Sequence, residues 1–96
     1  MQNGIHKKNC MAQICSFFGI IIWMYYDDHN PPHFHAVYAE FEAEIAIRNF
    51  EVLQGYLPPR ALGLVMEWAE LHQKELLENW KLLHESKLPK KIKPLK

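Results

Sequence analysis

The chain reads as a single α+β domain, with a three- or four-stranded antiparallel sheet followed by a long C-terminal helix or helical hairpin. Three observations predict this. Residues 41–48 alternate strictly, with Phe41, Ala43, Ile45 and Ile47 facing one way and Glu42, Glu44 and Arg48 the other, which is the period of a half-buried antiparallel strand. Residues 33–39 alternate in the same manner just before them. From Pro58-Pro59 to about Ser86 the apolar residues recur at helical spacing. At 96 residues there is room for one core and one domain.

In chain order, residues 1–10 show no periodicity and Met11 stands directly before the first structured sequence, so 1–10 reads as a disordered extension and 11–96 as the domain. Residues 17–26, through Ile20, Ile21, Ile22 and Trp23, are β-branched or aromatic on both alternating faces, as in a central strand covered on two sides. Asn30-Pro31-Pro32 breaks that strand, because proline fixes φ and donates no N–H. Phe34, Ala36 and Tyr38 then share one face of the next strand, with His33, His35 and Val37 on the other. Ala39-Glu40 is a short connection into the 41–48 strand. Asn49-Phe50-Glu51 is a turn, and 52–57 a weaker fourth strand containing Gly55.

Pro58-Pro59 opens the helix, proline being well tolerated in a first turn. Leu62, Val65, Met66, Ala69, Leu76, Leu77, Trp80 and Leu83 form its apolar stripe, and Leu64, Trp68, Leu71 and Leu82 widen it beyond the usual face. A helix so apolar is either broken near His72-Gln73 and folded back, or covered by the sheet and by a second subunit. The second reading is preferred and predicts a homodimer. Pro89 and Pro94 end regular structure, and Ile92 and Leu95 are placed to pin the tail to the body.

Composition narrows the function classes. Hydrophobic residues make up 49% and charged residues 23%, a globular balance that excludes a low-complexity chain. The longest apolar run is too short to cross a bilayer and no signal-like stretch opens the chain, so no membrane role is predicted and the location reads as cytoplasmic. Cys10 and Cys15 do not have CxxC spacing and read as reduced thiols. All eleven carboxylates lie between Asp27 and Glu85, accompanied there only by Arg48, Arg60, Lys74 and Lys81. The body is therefore acidic and the tail, with Lys87, Lys90, Lys91, Lys93 and Lys96, basic. Such a body repels phosphate backbones, so RNA contact would depend on the tail or a local basic patch.

Two clusters could carry chemistry. Residues 27–35 hold Asp27, Asp28, His29, Asn30, Pro31, Pro32, His33, Phe34 and His35. If 33–39 is a strand, His33 and His35 project from one face, with His29 across the turn. Three readings stand: a turn capped by Asp28 and Asn30 with satisfied histidines, acid–base or phosphate chemistry near neutral pH, and a divalent metal site. Metal ranks last, so no metal ligand and no cofactor is assigned. On the helix, Trp68, His72, Glu75 and Asn79 share a narrow sector, where a His and a Glu at i,i+3 can share a proton or sit as one hydrogen-bonded pair in an interface. His33, His35, His72 and Glu75 are the candidate catalytic residues; Asp28, His29, Asn30, Trp68 and Asn79 are the candidate binding residues. The site so predicted has two parts, which function only if they meet.

Phe18-Gly19-Ile20, residues 28–35, Gly55-Tyr56-Leu57-Pro58, Glu67-Trp68-Ala69-Glu70-Leu71-His72, Glu75-Leu76, Asn79-Trp80 and Ile92-Lys93-Pro94-Leu95 together resemble the small bacterial proteins of domain-of-unknown-function family 4160. The resemblance runs from Met11 to Leu95 and implies a two-gene context of toxin–antitoxin style. A looser likeness is to HicA-type ribonuclease toxins, in which a strand-borne histidine follows a Gly-Ser turn; here Pro31-Pro32-His33-Phe34-His35 stands in that place. The expectation is a toxin–antitoxin-type component contacting RNA or a small protein partner, with His33 or His35 as general base. The alternative is a non-catalytic dimeric interaction module whose histidine turn is structural or holds a metal. Whether the chain is an enzyme stays open.

Overall fold

A computed structural model describes residues 10–96. The expected extension over 1–10 lies, apart from Cys10, outside the described residues. Five strands in sequence order form one antiparallel meander: β1 (Met11–Phe17), β2 (Ile20–Tyr25), β3 (His33–Tyr38), β4 (Phe41–Ala46) and β5 (Val52–Gly55). Two helices follow, α1 (Pro59–Leu71) and α2 (Gln73–His84). The fold is α+β as predicted, with five strands where three or four were expected.

The additional strand is β1, which lies ahead of the apolar run at 17–26 and shares only Phe17 with it; the strand expected over 17–26 begins at Ile20 as β2. Phe18 and Gly19 both take positive φ, as the tight turns of two-residue hairpins require, and fold β1 back on β2. The middle of the sheet is β3. In β2, Ile20, Ile22 and Met24 are buried against the helices while Ile21, Trp23 and Tyr25 are half-buried on the opposite face. The register shifts between Gln13 and Cys15, and the bulge leaves Ile14 and Cys15 both buried although adjacent. Gly55 is required where it stands: at its positive φ a Cβ would lie 2.2 Å from the Glu42 carbonyl oxygen of β4.

The core lies between the helices and the face carrying Ile20, Ile22, Phe34, Ala36, Ala43 and Ile45, closed from the helical side by Val65, Trp68, Leu76 and Leu83. The helix breaks at His72, whose φ of −124° lies outside the helical range. Of the two readings of the helical stretch, the break near His72-Gln73 is the one found, and the preferred expectation of a continuous helix is corrected to two shorter helices. Much of the wide apolar surface is covered by the chain's own C-terminus. Ile92 is buried and its N–H donates to the Ile14 carbonyl at 3.1 Å, Leu95 packs against the core, and Trp68 Nε1–H donates to the Lys93 carbonyl at 2.8 Å. The end of α2 closes with Ser86 at positive φ and Lys87 N–H donating to Leu82 O, a Schellman arrangement. Among the described residues, no helix is long and apolar enough to cross a membrane.

Candidate functional site

The strand alternation read from the sequence decides where the histidines go. Phe34 points into the core and meets Trp68, ring centroids 6.0 Å apart, so its neighbours His33 and His35 take the opposite side of β3. His35 stands directly opposite Trp23 on β2 and Glu44 on β4. Both imidazoles are nonetheless buried, His33 at 2% exposed and His35 at 7%, because Tyr25 and Trp80 cover them.

Asp28 bends back from the turn to meet them. Its Oδ2 lies 2.9 Å from His33 Nε2 and 3.3 Å from His35 Nε2, while Oδ1 accepts from the backbone N–H of His29 at 3.0 Å and lies 3.1 Å from His29 Nδ1. His33 Nδ1–H donates to the Pro31 carbonyl at 2.8 Å, which fixes the ring's orientation through the proline turn itself. Two carboxylates missed by sequence reasoning complete the setting: Glu42 Oε2 is 3.3 Å from His35 Nδ1, and Glu44 Oε1 is 3.8 Å from His33 Nε2. The cluster opens into a bowl lined by Tyr25, Asp27, Asp28, His29, His35, Glu42 and Glu44.

The electrostatics follow from that crowding. Burial pushes the Asp28 carboxyl up, but hydrogen bonds from the His29 side chain, the electrostatic influence of the adjacent His33 ring, and hydrogen bonds from the His35 side chain and the His29 backbone N–H outweigh it and leave the group below its ordinary value. Tyr25 moves the other way: burial first, then the charges of Glu42, Asp28 and Glu44, hold its phenol above the usual range.

The partner from the helices is not the one expected. His84, at the end of α2, points Nε2 at the Asp28 carbonyl oxygen, 2.6 Å away, and Trp80 lies against both His33 and His84, with centroid distances of 5.4 and 4.3 Å. No sequence signal marked His84, which is 56 residues from Asp28 and sits on a helix face read only for its apolar stripe.

The predicted helix cluster lies elsewhere. His72 Nδ1 is 2.5 Å from Glu75 Oε1, beside Trp68, on a patch with Leu71, Lys93, Pro94 and Leu95. Among the described residues no hydrogen bond, ion pair or ring contact joins this pair to His33 or His35. Trp68 is fully buried with its N–H on the tail. Asn79 is buried too, its Nδ2 donating to the Lys90 carbonyl and its Oδ1 accepting from the Lys90 N–H, both at 2.8 Å. Trp68 and Asn79, expected to bind a ligand, have their polar groups occupied by the C-terminal tail. Asn30 is exposed at the tip of the turn.

Compared with known protein families, residues 19–81 match the model described as Domain of unknown function (DUF4160). No curated protein and no solved structure matches. The matched span takes in the turn, β3, β4 and Trp80, so the histidine cluster and its aromatic cover lie wholly inside it. On that match, which extends over well more than half of its length, the chain belongs to the domain-of-unknown-function family DUF4160.

Proposed function

We propose that the chain is a cytoplasmic component of toxin–antitoxin type that contacts a protein partner through the open sheet face around the histidine turn. One observation carries the choice of a protein over RNA. The bowl at the histidines is lined by Asp27, Asp28, Glu42 and Glu44, and no lysine or arginine lines it among the described residues. A phosphate backbone brought to this face meets four carboxylates and no lysine or arginine among the described residues, whereas a basic protein surface is steered toward it. Burial of His33 supports the same reading, since a general base must bring its nitrogen within hydrogen-bond reach of the substrate. The proposal keeps the homodimer, now through the sheet edge: β5 is exposed along its whole length and an unpaired edge favours pairing with a second copy.

Co-expression with the product of the adjoining gene tests this. The expected result is a complex that co-elutes at low salt and is weakened about tenfold by Glu42→Lys or Glu44→Lys, a loss of about 1.4 kcal/mol. No complex, together with tight binding of a single-stranded RNA oligomer by the isolated chain, would replace the protein reading with the RNA one. Sedimentation of the isolated chain tests the dimer against the 11.4 kDa monomer mass.

A further inference from the structure

Donor bookkeeping at the histidine cluster does not close with protein atoms alone. His33 Nδ1 faces a carbonyl oxygen, which only accepts, so the proton of a neutral ring sits on Nδ1 and Nε2 carries a lone pair. That lone pair is 2.9 Å from a carboxylate oxygen, which also only accepts, and the nitrogen is buried with no hydrogen-bond partner. His35 differs: its Nε2 is hydrogen-bonded to the same Asp28 oxygen at 3.3 Å, while its Nδ1, 3.3 Å from Glu42 Oε2, is buried with no hydrogen-bond partner. Buried polar atoms are ordinarily paired. Here three acceptor-capable atoms, one each from Asp28, His33 and His35, lie within 4.8 Å of one another.

We propose that Asp28, His33 and His35 hold one divalent first-row transition-metal ion, with a coordination position open toward the bowl. Two imidazoles and one carboxylate are the donor types such ions take, and three protein donors leave room for a water or a ligand oxygen. With bonds of about 2.0–2.1 Å in a tetrahedron, neighbouring donors stand about 3.3 Å apart, close to the 2.9 and 3.3 Å between Asp28 Oδ2 and the two imidazoles. The outer contacts also fit. A ligating histidine typically gives its other ring N–H to a carbonyl or a carboxylate, and here Pro31 O serves His33 while Glu42 stands by Nδ1 of His35. Glu44, whose Oε1 is 3.8 Å from His33 Nε2, is among the carboxylates lining the bowl. The inference stands apart from the partner reading, because metal binding is measured on the chain alone.

The test is titration of the purified full chain, stripped with chelator and dialysed, with zinc followed by calorimetry, and elemental analysis after removal of free ion. About one tightly held equivalent is expected, with affinity reduced at least about tenfold in Asp28→Asn and in His35→Ala. Circular dichroism of each variant separates lost binding from lost folding, and Asp28→Asn, which keeps size and shape, serves if His35→Ala does not fold. Cobalt in place of zinc should give visible absorption that is absent from Asp28→Asn and unchanged in His72→Ala. Retention of less than about a tenth of an equivalent by the wild-type chain overturns the proposal. So does zinc affinity that is unchanged in folded Asp28→Asn, or that is lost in His72→Ala.

Discussion

Two histidine–carboxylate groups stand on this small domain, and their surroundings set them apart. His72 and Glu75 are neighbours on a helix turn, with Glu75 well exposed, so their contact is the ordinary i,i+3 pairing of a helix surface. Asp28, His33 and His35 come from a turn and a strand, are held by the Pro31 carbonyl and by two further carboxylates, and are covered by aromatic rings. The first pair satisfies itself. The second cluster leaves buried nitrogens without hydrogen-bond partners. Residue type and sequence spacing made the two look like halves of one site; burial and donor count show that they are different kinds of object.

Substitutions sharpen that contrast, beginning with the strand on which the cluster is mounted. Phe34→Ala should cost about 3–5 kcal/mol in chemical denaturation, since it empties core space against Trp68 from the strand that also carries His33 and His35. A loss under about 1 kcal/mol would contradict the assignment of faces. Asn79→Ala should cost about 1–3 kcal/mol by the same measurement, because both backbone groups of Lys90 lose their partner. This would show that a residue expected to bind a ligand instead anchors the tail. His72→Ala should change stability by no more than about 1 kcal/mol, in keeping with a partly exposed pair. A larger effect would mean that the helix pair carries more than its exposure suggests.

The smallest effect is one of pH. Tyr25 has a raised pKa in the folded chain, so its neutral form is favoured there; the stability this contributes is complete below the unfolded value of about 10 and is lost as pH rises through the folded one. Ultraviolet titration should find Tyr25 ionising later than a free tyrosine, and earlier in Glu42→Gln than in the wild type. No change in Glu42→Gln would remove Glu42 from the setting of the site.

Much of this was legible in the sequence. Alternation at 33–39 and 41–48 marked both strands, which end at Tyr38 and Ala46, and placed His33 and His35 on one face, and Pro58-Pro59 marked the helix start. The hairpin at Phe18-Gly19 was not legible because apolar residues run through it without a polar break, and the bulge at Ile14 blurred the period of β1. The helix break at His72 was legible only as one of two readings of the wide apolar surface, because no proline or glycine announces it. Trp80 and His84 joined the site through tertiary packing alone, and the burial of the histidines, which decides between a satisfied turn and a ligand site, depends on rings contributed by β2 and α2.

In the proposed site His33 presents a bare Nε2 to a shared point between Asp28 and His35, and His72 takes no part. Long-range proton–nitrogen correlation of the imidazole rings, recorded with and without zinc, measures this directly. An Nδ1–H tautomer is expected for His33 in the metal-free chain, with His33 and His35 both shifting on zinc addition while His72 stays in place. An Nε2–H tautomer for His33, or a zinc response at His72 that precedes any at His33 and His35, would contradict it.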